Sequence, residues 1–191
     1  RFAEARALDL TPDNSGTWEM LPNTDLLWRL RLGCQDALSL NLGFSEFELP
    51  AGAQLRVYAS DGSGSVLVFD RGDNRNHGQL WTPVLLTDAL VVEFQVPARR
   101  NAGWNLRLGT IGCGYRYFGQ EPSEKSGTCN IDVACPQGDD WRAEIASVGV
   151  YTVNGAWKCT GAMINNTSQD ERPFFLTANH CEVDAAAAPS V

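Results

Sequence analysis

The residues best suited to chemistry lie near the end of the sequence, where an apolar run meets a histidine. Residues 174–178 lead directly to Asn179 and His180, and Cys181 comes immediately after. The run predicts a buried strand that delivers an imidazole at its end. A general base must be held within hydrogen-bond reach of the group it deprotonates, and a rigid strand can hold it there. His180 is therefore the candidate catalytic residue, and a purely structural histidine is the competing interpretation.

The cysteines indicate disulfide bonds rather than a metal site. The sequence has no C-x-x-C pair, and its two histidines, His77 and His180, are far apart. A structural zinc site needs four such ligands close together, so neither a metal nor another cofactor is expected. Disulfides form in oxidising compartments, which predicts an exported protein. The six cysteines are Cys34, Cys113, Cys129, Cys135, Cys159 and Cys181.

Charge and hydropathy exclude two classes of partner. The net charge is -8, from 15 basic and 23 acidic residues spread along the chain. Such a surface favours neither nucleic acid nor an anionic membrane. No apolar run reaches the roughly 18 residues that a membrane span requires. The chain opens with Arg1 and Phe2 and no apolar leader, so we expect a secreted protein whose signal peptide has been removed.

Residues 17–118 have the pattern of an antiparallel β-sandwich. Short segments alternate apolar and polar side chains and are separated by turn residues. No helical pattern of comparable strength is present, so the predicted fold class is all-β. The predicted strands cover residues 26–32, 38–44, 55–59, 66–69, 90–96 and 104–108.

The positions of two cysteines predict a bridge within this sandwich. Cys34 comes after the first clear strand, and Cys113 comes after the last. The first and last strands of a sandwich are often neighbours, so we expect a Cys34–Cys113 disulfide. It would close a loop of about 80 residues, a length at which a disulfide strongly constrains the unfolded chain.

The composition changes after the sandwich. Residues 121–128 contain no large apolar side chain, which predicts an exposed linker open to proteolysis. Residues 1–120 before it form one predicted domain. After it, strands are predicted at 145–153, 157–164 and 174–178, and Asn154-Gly155 predicts a hairpin between the first two. This last part is too short for a comfortable core of its own.

Two segments near the end resemble a known family. Cys159-Thr-Gly-Ala-Met-Ile164 and Phe175-Leu-Thr-Ala-Asn-His-Cys181 resemble the chymotrypsin-like serine proteases, in which a C-x-G-x-x-I strand precedes a T-A-x-H-C strand end. Gly127-Thr-Cys-Asn-Ile-Asp-Val-Ala-Cys-Pro136 and Asn165-Asn-Thr167 make residues 126–181 most similar to bacterial lysyl endopeptidases. The resemblance covers about a third of the chain and is specific.

The earlier residues resemble the β-rich propeptide found before such proteases, through weaker features. These are Leu49-Pro-Ala-Gly-Ala53, Leu55-Arg-Val-Tyr58 and Leu80-Trp-Thr-Pro83. The resemblance then implies three parts. Residues 1–120 would be a β-sandwich propeptide, residues 121–128 an exposed processing linker, and residues 126–191 the incomplete N-terminal part of a chymotrypsin-like β-barrel.

The resemblance also implies roles for single residues. His180 would be the triad histidine, which takes the proton of a serine and passes it to the leaving amine. A Cys159–Cys181 bridge would tie the end of its strand to the preceding strand. Cys129 and Cys135 match family cysteines whose partners would lie beyond Val191.

The sequence departs from the family after the histidine. The family order is His, Asp, Ser, but only eleven residues come after His180. Asp184 is too close in sequence to be the triad aspartate and is expected to be a surface charge, and no G-x-S-G motif is present. The triad Asp and Ser would come from a C-terminal remainder of the same protease, and this chain alone would be inactive.

Two functions are consistent with these residues. The first is the zymogen of a secreted bacterial serine endopeptidase, acting on proteins or peptides, whose propeptide aids folding and inhibits the enzyme. The second is a β-sandwich binding module attached to an inactive protease remnant. In that case four tryptophans could form a sugar-binding face: Trp18, Trp28, Trp81 and Trp104.

The lysines bear on specificity. Only Lys125 and Lys158 are lysine among the 15 basic residues. Lys125 lies in the linker, so cleavage of Lys125–Ser126 would suit self-activation by a lysyl endopeptidase. Lys158 lies inside a predicted strand beside Cys159, where a protease could hardly unfold it. The rarity of lysine fits avoidance of self-digestion, but it also fits arginine-rich codon usage, and specificity for arginine stays open.

Overall fold

The computed structural model describes residues 1–97, 103–116 and 133–191. Strands dominate these residues, and every strand pairing in them is antiparallel. The predicted all-β fold class is confirmed. The strands are β1 (Ala3–Leu10), β2 (Thr17–Met20), β3 (Leu26–Gly33), β4 (Ser39–Glu48), β5 (Gln54–Ala59), β6 (Leu67–Phe69), β7 (Leu80–Trp81), β8 (Ala89–Val96), β9 (Asn105–Gly114), β10 (Val148–Val153), β11 (Trp157–Ile164) and β12 (Phe174–Thr177).

The first nine strands form two sheets. A four-stranded sheet has the order β1-β9-β4-β7, and a five-stranded sheet has the order β2-β3-β8-β5-β6. Along β8, Leu90, Val92 and Phe94 are buried and the residues between them are half-exposed. Successive side chains of a strand point to opposite faces, so this alternation gives the sheet one apolar face.

The apolar faces of the two sheets share one core. Trp28 and Phe94 come from the five-stranded sheet, and Leu42, Phe44 and Leu108 come from the four-stranded sheet. None of the five is more than 1% exposed. Two antiparallel sheets packed face to face around one core form a β-sandwich.

A disulfide joins Cys34 to Cys113, with the two Cα atoms 5.9 Å apart. This is the expected pair, but the strands that carry it are not neighbours. Cys34 comes after β3 of the five-stranded sheet, whereas Cys113 lies in β9, between β1 and β4 of the other sheet. The premise that the first and last predicted strands are adjacent was wrong, because β1 takes the place beside β9. The bridge instead links one sheet to the other.

Two boundaries also differ from the prediction. Strand structure begins at Ala3 rather than near residue 17, because β1 presents mainly small and polar side chains that give a weak periodic signal. Ile145 ends a short helix, α1 (Arg142–Ile145), and β10 starts only at Val148. Arg142 stabilises this turn because its guanidinium donates to the backbone oxygen of Val133 at 2.7 Å.

The last three strands form a separate sheet of order β10-β11-β12. Asn154 and Gly155 connect β10 to β11 with φ values of +50° and +62°. The amide of Ala156 donates to the oxygen of Val153 at 3.2 Å. Positive φ at both central residues is the type I′ geometry that Asn-Gly favours. The predicted hairpin is confirmed.

This third sheet leaves large apolar side chains open to solvent. Eight of them are between 41% and 61% exposed: Val148, Val150, Trp157, Met163, Ile164, Phe174, Phe175 and Leu176. Soluble proteins rarely leave that much apolar surface uncovered in one place. No helix within the described ranges is long and apolar enough to cross a membrane.

Candidate active site

His180 lies in a tight turn at the end of β12. The strand pairs with β11 from Phe174 to Thr177. Ala178 is extended, and residues Asn179–Cys181 form a single 3₁₀ turn. The amide of Cys181 donates to the oxygen of Ala178 at 3.0 Å. The chain is thus extended up to the residue before the turn and then folds back, which places the imidazole at the sheet's end.

A disulfide clamps this turn. Cys159 of β11 is bonded to Cys181, and their Cα atoms are 6.1 Å apart. This is the pair that the family resemblance implied. Because Cys181 is the residue next to His180, the covalent link fixes the backbone that carries the imidazole to the neighbouring strand.

A hydrogen-bond relay adds a second clamp. The hydroxyl of Thr177 donates to the oxygen of Thr160 at 3.0 Å. The Tyr151 hydroxyl lies 2.5 Å from the same Thr177 oxygen. Tyr151, Thr160 and Thr177 belong to β10, β11 and β12 respectively, so the relay joins all three strands at the base of the turn. This relay was not predicted from the sequence, although the threonine of the T-A-x-H-C motif was the available signal.

The imidazole itself is open to solvent. His180 is exposed, and within the described ranges its ring has no hydrogen-bond partner. It lines a cleft of about 380 Å³ together with residues of the hairpin, the disulfide and the adjoining turn: Val153, Asn154, Trp157, Lys158, Cys159, Cys181 and Glu182. A larger open hollow of about 760 Å³ adjoins the same turn and is lined by Thr177, Ala178 and Asn179 but not by His180. The His180 ring is therefore accessible from the smaller cleft.

The ring nitrogen and the two sulfur atoms of the clamp lie close together. The ligand atoms of Cys159, His180 and Cys181 are all within 4.8 Å of one another. A cysteine binds a metal as the thiolate. Both sulfurs are committed to the disulfide, so this cluster has one ligand to offer, not three.

Asp184 caps the turn that follows it in the chain. Its carboxylate accepts hydrogen bonds from the amides of Ala186 and Ala187, at 3.0 and 2.8 Å. It therefore caps the next turn of the chain, as aspartate commonly does at the start of a helical turn. The expectation of a plain surface charge was incomplete. The placement of an aspartate directly before a run of alanines was the signal for the cap.

The other predicted site residues are only partly described. Lys125, Ser126 and Cys129 lie outside the described residues. Cys135 precedes the 3₁₀ turn Pro136–Trp141, is half-buried and forms no disulfide with another described cysteine. A pairing of Cys135 beyond Val191 stays a prediction.

The four tryptophans do not share one exposed face. Trp28 is buried in the core, and its indole nitrogen donates to the oxygen of Ser15 at 2.7 Å. Trp18 and Trp104 both contact the buried ring of Phe94. Trp81 lies on the other sheet, in β7. A flat sugar-binding platform built from these four rings is not present.

The described residues thus form an all-β protein with an accessible histidine on a clamped strand end. Comparison with known proteins gives the family. Residues 123–191 match the family model described as the C-terminal domain of lysyl endopeptidase. A lysyl endopeptidase of Pseudomonas aeruginosa is 31% identical over 160 residues, which cover 74% of this chain and 31% of that protein. These matches support a lysyl endopeptidase-like protease family for the chain, and the resemblance carried by the motifs is confirmed.

The alignment with the Pseudomonas aeruginosa protein covers only part of each of the two proteins. The chain spans about a third of that relative's length. The alignment covers more of the chain than residues 123–191, so it reaches into the N-terminal sandwich. No solved structure matches the chain. The family and the two disulfides together suggest an extracellular protein.

Proposed function

We propose that the chain belongs to the zymogen of a secreted serine endopeptidase that hydrolyses peptide bonds after lysine. The observation that carries the proposal is His180, an exposed imidazole on a turn clamped to β11 by the Cys159–Cys181 disulfide. Covalent and hydrogen-bond clamps restrict the ring's position, and a general base needs such restriction. The neighbouring clefts leave room for a nucleophile and a peptide.

In this proposal His180 acts as the base of a triad. It accepts the hydroxyl proton of a serine as the serine oxygen bonds to the scissile carbonyl carbon. It then gives that proton to the departing amine as the carbon–nitrogen bond breaks. Water repeats the sequence on the acyl-enzyme. A buried aspartate would hold the ring's tautomer. Asp184 is occupied by two backbone amides, so we assign the aspartate and the serine to a C-terminal remainder of the same protease.

The proposal divides the chain at the linker. Residues 1–120 would be the propeptide, and residues 126–191 would begin the catalytic domain. The closed core of the sandwich supports a separate folding role, and the exposed apolar sheet β10–β12 fits a piece that the remainder of a β-barrel would cover. In this assignment Cys129 and Cys135 pair with cysteines of the remainder.

The first experiment tests the role of His180. In the full-length protease, His180→Ala should lower the rate of peptide hydrolysis by at least about 10³-fold, because a triad loses most of its advantage when one member is removed. His77→Ala is the matched control. His77 lies in an exposed loop of the sandwich, where its ring accepts from the amide of Gln79 at 3.2 Å, and the rate should not change. Equal rates of hydrolysis for His180→Ala and wild type would contradict the proposal that His180 is the triad base.

A second experiment tests the junction and the specificity. Lys125→Gln should prevent self-processing of the precursor, whereas Lys125→Arg should permit it only if arginine is also accepted. The masses of the fragments report both results. Normal processing of Lys125→Gln would exclude Lys125 as the cleavage site. If a full-length protein with intact His180 hydrolyses no peptide at all, the binding-module alternative becomes the better account.

A further inference from the structure

The four-stranded sheet has an outer face that is built from small and polar residues. Along β4, Ser39, Asn41 and Gly43 are buried and alternate with the core residues Leu40 and Leu42. Directly opposed residues of paired strands point to the same face. The outer face therefore includes the partners of these residues on the adjoining strands. We call it the receptor face; it consists of Ser39, Asn41, Gly43, Trp81, Gly112 and Gly114.

The tip of the β10–β11 hairpin sits on the receptor face. A Cβ atom on Gly155 would lie 2.7 Å from Cζ3 of Trp81 and 3.1 Å from Nδ2 of Asn41. A Cβ atom on Gly112 would collide with Oδ1 of Asn41 on the neighbouring strand and with the carbonyl oxygen of Gly155 in the hairpin. A Cβ on Gly43 would lie 2.6 Å from the Trp81 indole. The contact is therefore close enough to require glycine both in the hairpin, at Gly155, and on the sandwich, at Gly112.

Backbone hydrogen bonds reinforce the contact. The oxygen of Ala156, in the hairpin tip, accepts from the amide of Phe2 at 2.9 Å and from that of Ala3 at 3.3 Å. Ala156 is 4% exposed. The start of the N-terminal strand thus binds the hairpin tip through backbone hydrogen bonds, while Trp81 and Asn41 of the receptor face pack against it.

Burial in the last part of the chain is concentrated at this contact. Among the described residues 133–191, the buried apolar side chains are Val153, Ala156 and Ala187. Val153 precedes the hairpin tip, and Ala156 is part of it. Ala187 belongs to the turn whose Ser190 hydroxyl accepts from the amide of Asn154 at 2.9 Å, and residues Ala188–Ser190 lie against β7. The other described apolar side chains of the third sheet are half-buried or exposed.

The receptor face carries polar groups that this contact leaves unsatisfied. Within the described residues, the hydroxyl of Ser39, the amide of Asn41 and the indole nitrogen of Trp81 are buried without a hydrogen-bond partner. Each such group costs free energy while it is covered and regains water when it is uncovered. A permanently covered face would be better served by apolar side chains. The unsatisfied polar groups therefore favour a receptor face from which the hairpin tip can be released.

We propose that the receptor face is a releasable latch: it holds residues 154–156 and keeps the sandwich bound, without a covalent link, after the junction is cut. The proposal rests on the proposed function, in which the linker is cleaved. Cys34–Cys113 lies within the sandwich and Cys159–Cys181 lies within the third sheet, so neither described disulfide joins the two parts. Asn154 also lines the cleft of His180, so the latch holds one wall of the candidate active site.

The test cuts the chain and asks whether its parts stay together. Residues 121–128 are replaced by the recognition sequence of an unrelated protease, the chain is cut, and the products are separated by size exclusion at falling concentration. Gly155→Asn is the main variant, because asparagine tolerates positive φ but its side chain would meet Trp81 and Asn41. Its control is Gly62→Asn, at a turn with φ +77° and no atom within 4 Å of the added Cβ.

A second pair of variants lies on the sandwich. Gly112→Ala points a methyl group at the hairpin oxygen of Gly155 and at Asn41 of the receptor face. Gly109→Ala, on the same strand, is the control: the three atoms nearest to its new Cβ all belong to Ser45, whose Oγ would be 2.8 Å away. Thermal unfolding of each uncut variant checks that the sandwich still folds. Gly155→Asn and Gly112→Ala should dissociate at concentrations at least tenfold higher than wild type, and the two controls should behave like wild type.

Two outcomes overturn the latch. The first is that the cut wild-type parts separate at once; the second is that all four variants stay together as tightly as wild type. Neither outcome depends on catalysis. Conversely, if cutting the linker of the full-length protease does not raise peptide hydrolysis, the zymogen proposal fails even where the parts remain bound.

Discussion

The sandwich and the third sheet are built from similar strands but bury them differently. In the sandwich, Phe94 is fully buried between two sheets. In the third sheet, Phe175 is 41% exposed and contacts the ring of Tyr151 from one side. Among the described residues, each region contains one disulfide, and the strand pairs of both regions are antiparallel. What separates them is the presence of a second sheet, without which an apolar face has nothing to pack against.

This contrast explains why the candidate site depends on clamps. A strand with a packed core behind it is held by burial along its whole length. β12 has no such core in the described part of the chain, and its end is held by the Cys159–Cys181 disulfide and the Tyr151–Thr177 hydrogen bond. The position of His180 therefore rests on a few local contacts.

The strongest test of the contrast is one substitution made in both regions. Phe94→Ala should lower the free energy of unfolding of the sandwich by about 3–5 kcal/mol, since it opens a cavity in a closed core. Phe175→Ala should cost the third sheet about 1 kcal/mol, because most of its ring contacts are on one side. Amide hydrogen exchange, measured separately for β8 and β11, gives both losses. Losses of equal size would mean that the third sheet has a packed core after all.

Removal of the disulfides gives the next largest effect. Replacing Cys34 and Cys113 with alanine should destabilise the sandwich by about 2–4 kcal/mol, because their bridge closes a long loop and links the two sheets. Replacing Cys159 and Cys181 with alanine should leave the sandwich's unfolding transition unchanged. Amide exchange in the Asn179–Cys181 turn should instead become faster. If the second pair also lowered the sandwich's stability, the two regions would form one cooperative unit.

The sequence predicted much of the sandwich because its strands satisfy a strong periodic rule. Leu90, Val92 and Phe94 are apolar at every second position and are buried as expected. β1 escaped prediction because Ala3, Ala5 and Ala7 contribute too little hydrophobic contrast. The order of strands in a sheet depends on long-range pairing, which local periodicity does not encode, and the route of the Cys34–Cys113 bridge between sheets was missed for that reason.

The candidate site was predictable where a motif fixed it and unpredictable where it depends on tertiary contact. His180 and its neighbouring cysteine belong to a local pattern that the sequence carries openly. The receptor face is different. In the sequence, Gly43 and Gly112 look like residues of ordinary strands, and only the packing of Trp81 and Gly155 shows that a side chain at either position would collide.

The smallest predicted effect concerns charge on the sandwich's solvent side. Arg29 of β3 bonds Glu93 of β8 at 2.8 Å and lies 3.3 Å from Glu19 of β2. Nearby, partial burial raises the pKa of the Tyr58 phenol above its usual value of 10.0, and the negative charge of Glu93 raises it further.

A phenol whose pKa is higher in the folded protein than in the unfolded chain stabilises the fold while it is protonated. This contribution is fully present below about pH 10 and is lost as the pH rises through the folded-state pKa. Tyr58→Phe should therefore make the sandwich's free energy of unfolding fall less between about pH 9 and pH 11 than it does in wild type. Urea unfolding at the two pH values measures this difference, with Tyr115→Phe as the control, since Tyr115 is half-exposed and lies outside the five-stranded sheet. An identical fall in wild type and Tyr58→Phe would show that the partial burial of Tyr58 and the charge of Glu93 make no difference to the stability of the sandwich in this pH range.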